Sequence, residues 1–220
     1  MTMSSTQKAK FLLKHGGSIA KIAANYPKFA NDAKYIGRQF EKNGVNEPYR
    51  KEAWQRYHFK EIALYLLVKK YKPKVIVETG VEHGVGTYFI LKAIHENGTG
   101  ELYSIDYPNY AGCKLPPGKS PGWLVSEKLP KERLACWHLI IGKSKDELPK
   151  LQLTEIDMFI HDSEHSYENM KFEFEFAIRK MRKGGIIASD DTRWNAAWDE
   201  FVKNNKLDHK RYPYEYAIMR

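Results

Sequence analysis

The segment Val75–Leu91 constrains the fold more than any other part of this 220-residue chain. Val75-Ile76-Val77 is a short, wholly apolar β-branched run of the kind that forms a strand buried on both faces. Glu78-Thr79-Gly80-Val81-Glu82-His83-Gly84-Val85-Gly86 follows at once, and a helical pattern then runs from Thr87 to His95. A strand that turns through glycines into a helix is the opening unit of a doubly wound sheet, in which ligands bind beyond the carboxyl ends of the strands. The glycines do not fit G-x-G-x-x-G, so the dinucleotide reading fails on spacing. Charge argues the same way. Glu78 and Glu82 would repel a pyrophosphate and would suit a ligand carrying an ammonium and a sulfonium. Gly80 and Gly84 let the backbone approach such a ligand with no Cβ in the way.

The alternation continues to the end of the chain. Strands are expected at Leu102–Asp106, Trp137–Ile141, Ile156–His161 and Ile186–Ser189, with helices at Leu124–Leu129, Lys145–Leu151 and Ser166–Met181 between them. In the last of these helices Met170, Phe174, Ala177, Ile178 and Met181 share one face, and Gly184-Gly185 is the expected break after it. Phe172 and Phe176 form a second stripe suited to the N-terminal helices or to another subunit of a homo-oligomer. Trp194, Ala197, Trp198, Phe201 and Val202 mark a final helix, and Tyr212–Met219, split by Pro213, holds the last strand material. This order predicts an α/β fold with a parallel sheet covered on both faces.

Residues 1–72 read differently, as an N-terminal helical region contributing a lid, acceptor contacts or subunit contacts, with the ligand-binding domain over 73–220. Phe29, Ala33, Ile36 and Phe40 fall at helical spacing just after Pro27. Glu52–Tyr71 carries Trp54, Tyr57, Glu61, Leu64 and Val68 on one side and runs to Pro73. The net charge of +9 belongs to this region: residues 1–72 hold 15 Lys/Arg against 5 Asp/Glu, whereas the remainder holds 21 against 22. Such an excess is either a solvated surface or an attractor of anionic partners. The longest apolar run, Ile62–Val68, is too short to span a bilayer, and Met1–Lys10 lacks a secretory apolar stretch. Cys113 and Cys136 make no disulfide framework or metal-type spacing. The expectation is a reduced, cytoplasmic protein with no membrane span.

The strand ends carry the chemistry. Asp106 closes the second strand, 28 residues after Glu78, where a carboxylate takes both hydroxyls of a ribose. Gly142-Lys143-Ser144 closes the third, where a side chain meets an adenine edge. Any one of these is a common turn residue, but three in order at the correct ends point to one cofactor. Val77-Glu78-Thr79-Gly80-x-x-x-Gly84 resembles motif I of class I S-adenosylmethionine-dependent methyltransferases, with Ser104-Ile105-Asp106 as its acidic partner. The resemblance spans residues 60–220. It implies a Rossmann-like, doubly wound seven-stranded sheet with its last strand antiparallel, behind an N-terminal helical extension. It also implies S-adenosylmethionine against Glu78, Thr79, Gly80, Gly84, Thr87, Asp106, Ser144 and Asp162.

The fourth and fifth strands end in His161-Asp162-Ser163-Glu164-His165 and Ser189-Asp190-Asp191-Thr192. Asp162, Asp190 and Asp191, gathered at adjacent ends without basic partners, repel unless a cation joins them. Mg2+ or another divalent cation suits such oxygens and lowers the pKa of a bound hydroxyl. The competing assignment is helix capping, by Asp191 or Thr192 near Arg193 and by Asp162 or Ser163 near Ser166. The arrangement resembles the Methyltransferase-24 group, which includes macrolide-sugar O-methyltransferases and cephalosporin-pathway proteins. In the sugar enzymes a histidine three residues after the first metal aspartate is the general base, which implies catalytic roles for His165 and Asp162 here. The pair at the fifth strand is Glu-Asp or Asp-Asn in those relatives, and Asp190-Asp191 keeps the oxygens. His83 is a second candidate base.

These readings converge on a metal-assisted O-methyltransferase acting on a sugar, glycan or other small polyol hydroxyl. The Pro- and Gly-rich loop Tyr107–Trp123 is the expected lid. Trp123, Trp194 and Asn195 are candidates to meet the acceptor, with core packing the competing fate of Trp194. The alternative is an RNA methyltransferase using the basic N-terminal region, with its interspersed Tyr26, Phe29, Tyr35 and Tyr49. His161-Asp162-Ser163-Glu164 puts negative charge where a phosphate backbone would pass, so nucleic acid is not favoured. A third reading is a binding protein that keeps the fold without turnover.

Overall fold

The computed structural model describes residues 24–25, 27–45, 54–108, 115–210 and 215–218. Five parallel strands form the centre of the molecule: β1 (Val75–Thr79), β2 (Glu101–Asp106), β3 (Trp137–Ile141), β4 (Ile156–His161) and β5 (Met181–Ser189). Their order is β3-β2-β1-β4-β5, and the β5 edge is extended by β7 (Glu215–Ile218) and then β6 (Asp208–Lys210). β7 runs antiparallel to both β5 and β6. The chain leaves β1 on one side for β2 and returns on the other for β4. The crevice at the carboxyl end of β1 is therefore the switch point where ligands bind in such sheets.

Strand periodicity divides the core in two. On one face Ile76, Leu102, Met158, Ile160, Ile186 and Ala188 meet the helix over 27–42 (α1), α2 (Trp54–Tyr71), α3 (Val85–Asn97) and α4 (Trp123–Lys128). Phe29, Ile36 and Phe40 of α1 and Ile62, Leu64 and Val68 of α2 are buried there. On the other face Val77, Ile105, Phe159 and Ile187 meet α7 (Tyr167–Lys180) and α8 (Ala197–Asn204) through Met170, Phe174, Ala177, Trp198 and Phe201. Phe176 is buried in that second core and Phe172 packs at its edge, so the stripe they form is covered within the chain. Short helices α5 (Lys131–Leu134) and α6 (Ser144–Glu147) complete the connections. No helix among the described residues is long and apolar enough to cross a membrane.

Several local expectations shift. The chain turns from α7 directly into β5 at Met181, so Gly184-Gly185 lies within the strand. Gly184 has φ +77°, and the β4–β5 register shifts so that Arg182–Gly185 all stand opposite Asp157, which places the glycine pair in a wide interruption of the ladder. The final helix starts at Ala197, leaving Trp194 in the preceding turn and 74% exposed. Side chains of Trp54 and Tyr57, residues 109–114 of the expected lid, Cys113 and Pro213 lie outside the described residues.

Gly80 sets how closely the ends of β1 and β4 approach. Its φ is +84°, and a Cβ there would collide with the carbonyl oxygen of Asp162 and reach 2.5 Å from its carbonyl carbon. Both objects are backbone, so neither side can yield. Left-handed backbone with a side chain costs about 1–2 kcal/mol before any clash. Gly80→Ala is therefore expected to destabilise the protein by roughly 3 kcal/mol, lowering the melting midpoint by about 6–12 °C. An unchanged midpoint in calorimetry would show that the two strand ends are not in this contact.

Candidate active site

The glycine turn after β1 is held by two carboxylates that the sequence assigns to a cofactor. Glu78 is buried at the end of β1, and its Oε2 accepts hydrogen bonds from Thr87 Oγ1 (2.8 Å) and Ser104 Oγ (2.7 Å). Thr87 is thus turned toward Glu78 beneath the turn. Burial pushes the Glu78 carboxyl up to about 7, against the two hydroxyl donors. Asp106, ending β2, accepts the backbone N–H groups of Val81 (2.7 Å) and Glu82 (2.9 Å), both at Oδ2. Gly84 opens α3 with φ +87°, and a Cβ there would stand 2.7 Å from Gly122 Cα. His83 is buried; its Nδ1 accepts from Trp123 Nε1 (3.1 Å), and its ring lies 4.9 Å from that of Phe40. Trp123 and His83 therefore belong to packing beneath the turn, and neither faces the site.

A third carboxylate, which sequence reading missed, ties the ends of β1 and β4 to α7. Glu173 is fully buried in α7. Its Oε2 accepts from Thr79 Oγ1 (2.6 Å) and His161 Nδ1 (2.7 Å). Its Oε1 accepts from Ser163 Oγ (2.7 Å) and Asn169 Nδ2 (3.0 Å). Ser144 Oγ donates to Asn169 Oδ1 (3.2 Å), so Thr79 and Ser144, both expected at the cofactor, point into this network. Burial alone would raise the Glu173 carboxyl, but the attraction of His161 and the hydrogen bonds hold it below the usual carboxylate range. The signal was present: Glu173 stands three residues after Met170 and four before Ala177, on the apolar face of the helix.

The ends of β4 and β5 bring Asp162, His165 and Asp190 together, with one ligand atom from each within 4.8 Å of the others. The Asp162 backbone N–H donates to the Thr79 carbonyl (2.9 Å), which fixes it beside the glycine turn. Asp191 is exposed, has φ +44° and stands outside the trio; His165 holds the third position in its stead. The helix-capping alternative falls away, because α7 is capped by Ser166 and α8 follows Ala196. The absence of basic partners expected from sequence is also corrected. Lys60 of α2 places its Nζ 3.0 Å from Asp162 Oδ2 and forms an ion pair with Asp190 Oδ2. Burial works against that ammonium, but the two carboxylates raise its pKa well above the ordinary lysine value.

His165 is half-buried, with its Nε2 buried and without a hydrogen-bond partner among the described residues. Burial first, and His161 second, hold its pKa below the ordinary histidine value, so the imidazole is neutral at physiological pH. His161 packs edge-on at 5.2 Å, and Asn195 Nδ2 donates to the His165 carbonyl (2.9 Å). The exposed Trp194 ring lies 6.3 Å from the imidazole, at the mouth of the site.

A family model described as a methyltransferase domain matches residues 77–192, from β1 to just beyond β5. No curated protein sequence gives a significant match. Among solved structures, the SAH-bound methyltransferase PaMTH1 from Podospora anserina aligns at TM-score 0.56 and 14% identity, over 84% of this chain and 87% of that one. An O-methyltransferase from Bacillus cereus in complex with SAH aligns at TM-score 0.54 and 13% identity, over 85% and 91%. The O-methyltransferase TomG from Streptomyces achromogenes, in complex with SAM, aligns at TM-score 0.52 and 16% identity, over 86% and 88%. At these identities the likeness is one of fold.

Two predictions test the buried acids. Glu173→Gln replaces one acceptor oxygen by an amide that faces donors, and is expected to cost roughly 3–5 kcal/mol in urea unfolding; a cost below about 1 kcal/mol would show that the four donors do not depend on the charge. Glu78 titrates near 4.5 when unfolded and near 7 when folded, so the folded state binds its proton more tightly. Its contribution to stability is complete below pH 4.5 and is lost as pH rises through about 7. Glu78→Gln should flatten the fall of the melting midpoint across that window. A fall of undiminished size would assign it to Glu61, which burial also pushes up to about 7.

Proposed function

Because the chain belongs to the methyltransferase-domain family through residues 77–192, we propose that it is an S-adenosylmethionine-dependent O-methyltransferase acting on a hydroxyl of a small acceptor. The observation that carries the reading is the meeting of Asp162, His165 and Asp190 beside the glycine turn, with the buried Nε2 of His165 lacking a partner among the described residues. The cofactor fits the residues present. The Gly80–Gly84 turn gives backbone access, and Glu78 and Asp106 supply negative charge and ribose acceptors for a group bearing an ammonium and a sulfonium. Relatives of the same fold crystallised with SAM or SAH support this. S-adenosylmethionine supplies an electrophilic methyl group on its sulfonium.

This chain's own residues do the rest. Neutral His165 accepts the proton of the acceptor hydroxyl at Nε2 as the oxygen attacks. Asp162 and Asp190 would hold a divalent cation such as Mg2+, which supplies Lewis-acid lowering of the hydroxyl pKa. The donor set fits one, since both carboxylates fall in the 4.8 Å cluster with His165. Asp191, exposed and outside the cluster, leaves the proposed ligand set. Catalysis then rests mainly on alignment of acceptor oxygen and methyl group. The exposed Trp194 ring beside His165 suits the apolar face of a sugar or other ring.

The RNA reading loses ground on charge. Lys28 and Lys69 pair with Glu96, and Lys60 with Asp162 and Asp190, so part of the N-terminal excess is spent within the chain. Phe29 is buried in the core, and Tyr26 and Tyr49 lie outside the described residues.

The test is methyl incorporation from labelled S-adenosylmethionine into sugars, catechols and other polyols, with and without EDTA, by wild type, Asp162→Ala and His165→Ala. Each substitution, and EDTA, is expected to lower turnover by about 100-fold or more. Undiminished turnover in all three would remove the metal and base assignments. Cofactor binding without turnover on any acceptor would favour a binding protein.

A further inference from the structure

Lys60 has no part in the reaction just described, yet it reaches the centre of the site. It is carried by α2, where Glu61 and Ile62 beside it are buried. Its Nζ bridges one oxygen of each aspartate, Asp162 Oδ2 at 3.0 Å and Asp190 Oδ2 in a direct ion pair. A cation shared by the two carboxylates must use this same space. An ammonium and a metal ion cannot occupy it together.

We propose that Lys60 is a tethered counter-ion that competes with the divalent cation for Asp162 and Asp190, so that metal enters only by displacing it. The inference rests on the reading of these aspartates as metal ligands. The physical case is direct. One ammonium pairs with an oxygen of each aspartate, the two positions that a bridging cation would need. A group held on the same chain acts at an effective concentration on the order of millimolar, which a free ion must overcome. With Lys60 gone, the carboxylates carry an uncompensated charge that favours any cation able to reach them.

The experiment measures Mn2+ binding to the full chain by electron paramagnetic resonance and calorimetry, at one pH, for wild type, K60M, K60R, D190N and K60M/D190N. K60M is expected to bind Mn2+ at least tenfold more tightly than wild type. K60R, which keeps the positive charge, should stay close to wild type, and the added D190N should abolish the gain. K60Q carries the same expectation as K60M and takes its place if K60M does not fold. Equal affinity in wild type and K60M, with D190N weakening both, would overturn the role of Lys60 and leave the metal site standing. Absence of saturable binding in both wild type and K60M would overturn the metal reading itself, and the competition with it.

Discussion

Parallel neighbours end at the same level, and here two of them end in acid. β4 runs into Asp162 and β5 into Asp190, with the registers His161↔Ser189 and Thr79↔His161 holding the three strand ends side by side. Two like charges about 4 Å apart repel by roughly 4 kcal/mol at the effective dielectric of a partly buried site. That is a large part of a domain's net stability of about 5–15 kcal/mol. Burial, together with the neighbouring charge of Asp190, pushes the Asp162 carboxyl well above its ordinary value, so a proton shared between the two acids relieves part of that repulsion. The fold adds positive charge from α2, more than a hundred residues away in the chain. The N-terminal helices are in this sense part of the site: their apolar faces build one core with β1 and α3, and the same packing delivers Lys60 to the acids.

The remaining acids solve the same problem in other ways. Glu78 is met by hydroxyls, Asp106 by backbone amides and Glu173 by four donors from β1, β4 and α7. Glu78 and Asp106 each commit one oxygen in this way, and Glu173 commits both. Glu173 matters most for function, because Thr79 belongs to the cofactor turn and His161 and Ser163 flank Asp162. Through Glu173 the turn after β1 and the end of β4 are held to one side chain. Such preorganisation lets polar groups act on a reaction without reorganising during it.

What sequence made visible depended on whether a signal was local. The strands β3 and β4 lie at their expected bounds because β-branched and aromatic runs between turn residues need only their neighbours to be read. Asp162 and Asp190 were legible because parallel-sheet topology forces the ends of β4 and β5 together, whereas His165 was reached only through the family resemblance and Asp191, expected beside them, stands outside the cluster. Lys60 was not, since nothing in residues 54–71 announces which strand ends the helix will face. Glu173 was hidden by the habit of treating a glutamate as solvent-facing, although its helical position was apolar. Gly184-Gly185 shows a further limit: a glycine pair signals a departure from regular structure, and only pairing with β4 decides between a helix break and an interruption within a strand.

The same distinction changes the meaning of the N-terminal charge. Read along the chain, residues 1–72 are a block of excess positive charge suited to an anionic partner. Read in space, Lys28 and Lys69 sit on Glu96 of α3, and Asp32 of α1 receives Lys92 and Lys128 from α3 and α4. These pairs cross between α1, α2, α3 and α4 in both directions, with Tyr88 Oη also donating to Asp32 (2.6 Å). Individually such partly exposed pairs are worth little. Together they orient helices whose apolar residues supply the energy, and orientation is what Lys60 needs to reach two carboxylates at once. Among the described residues, Lys28, Lys60 and Lys69 thus act within the chain, and the packing that orients α2 is what brings Lys60 to Asp162 and Asp190.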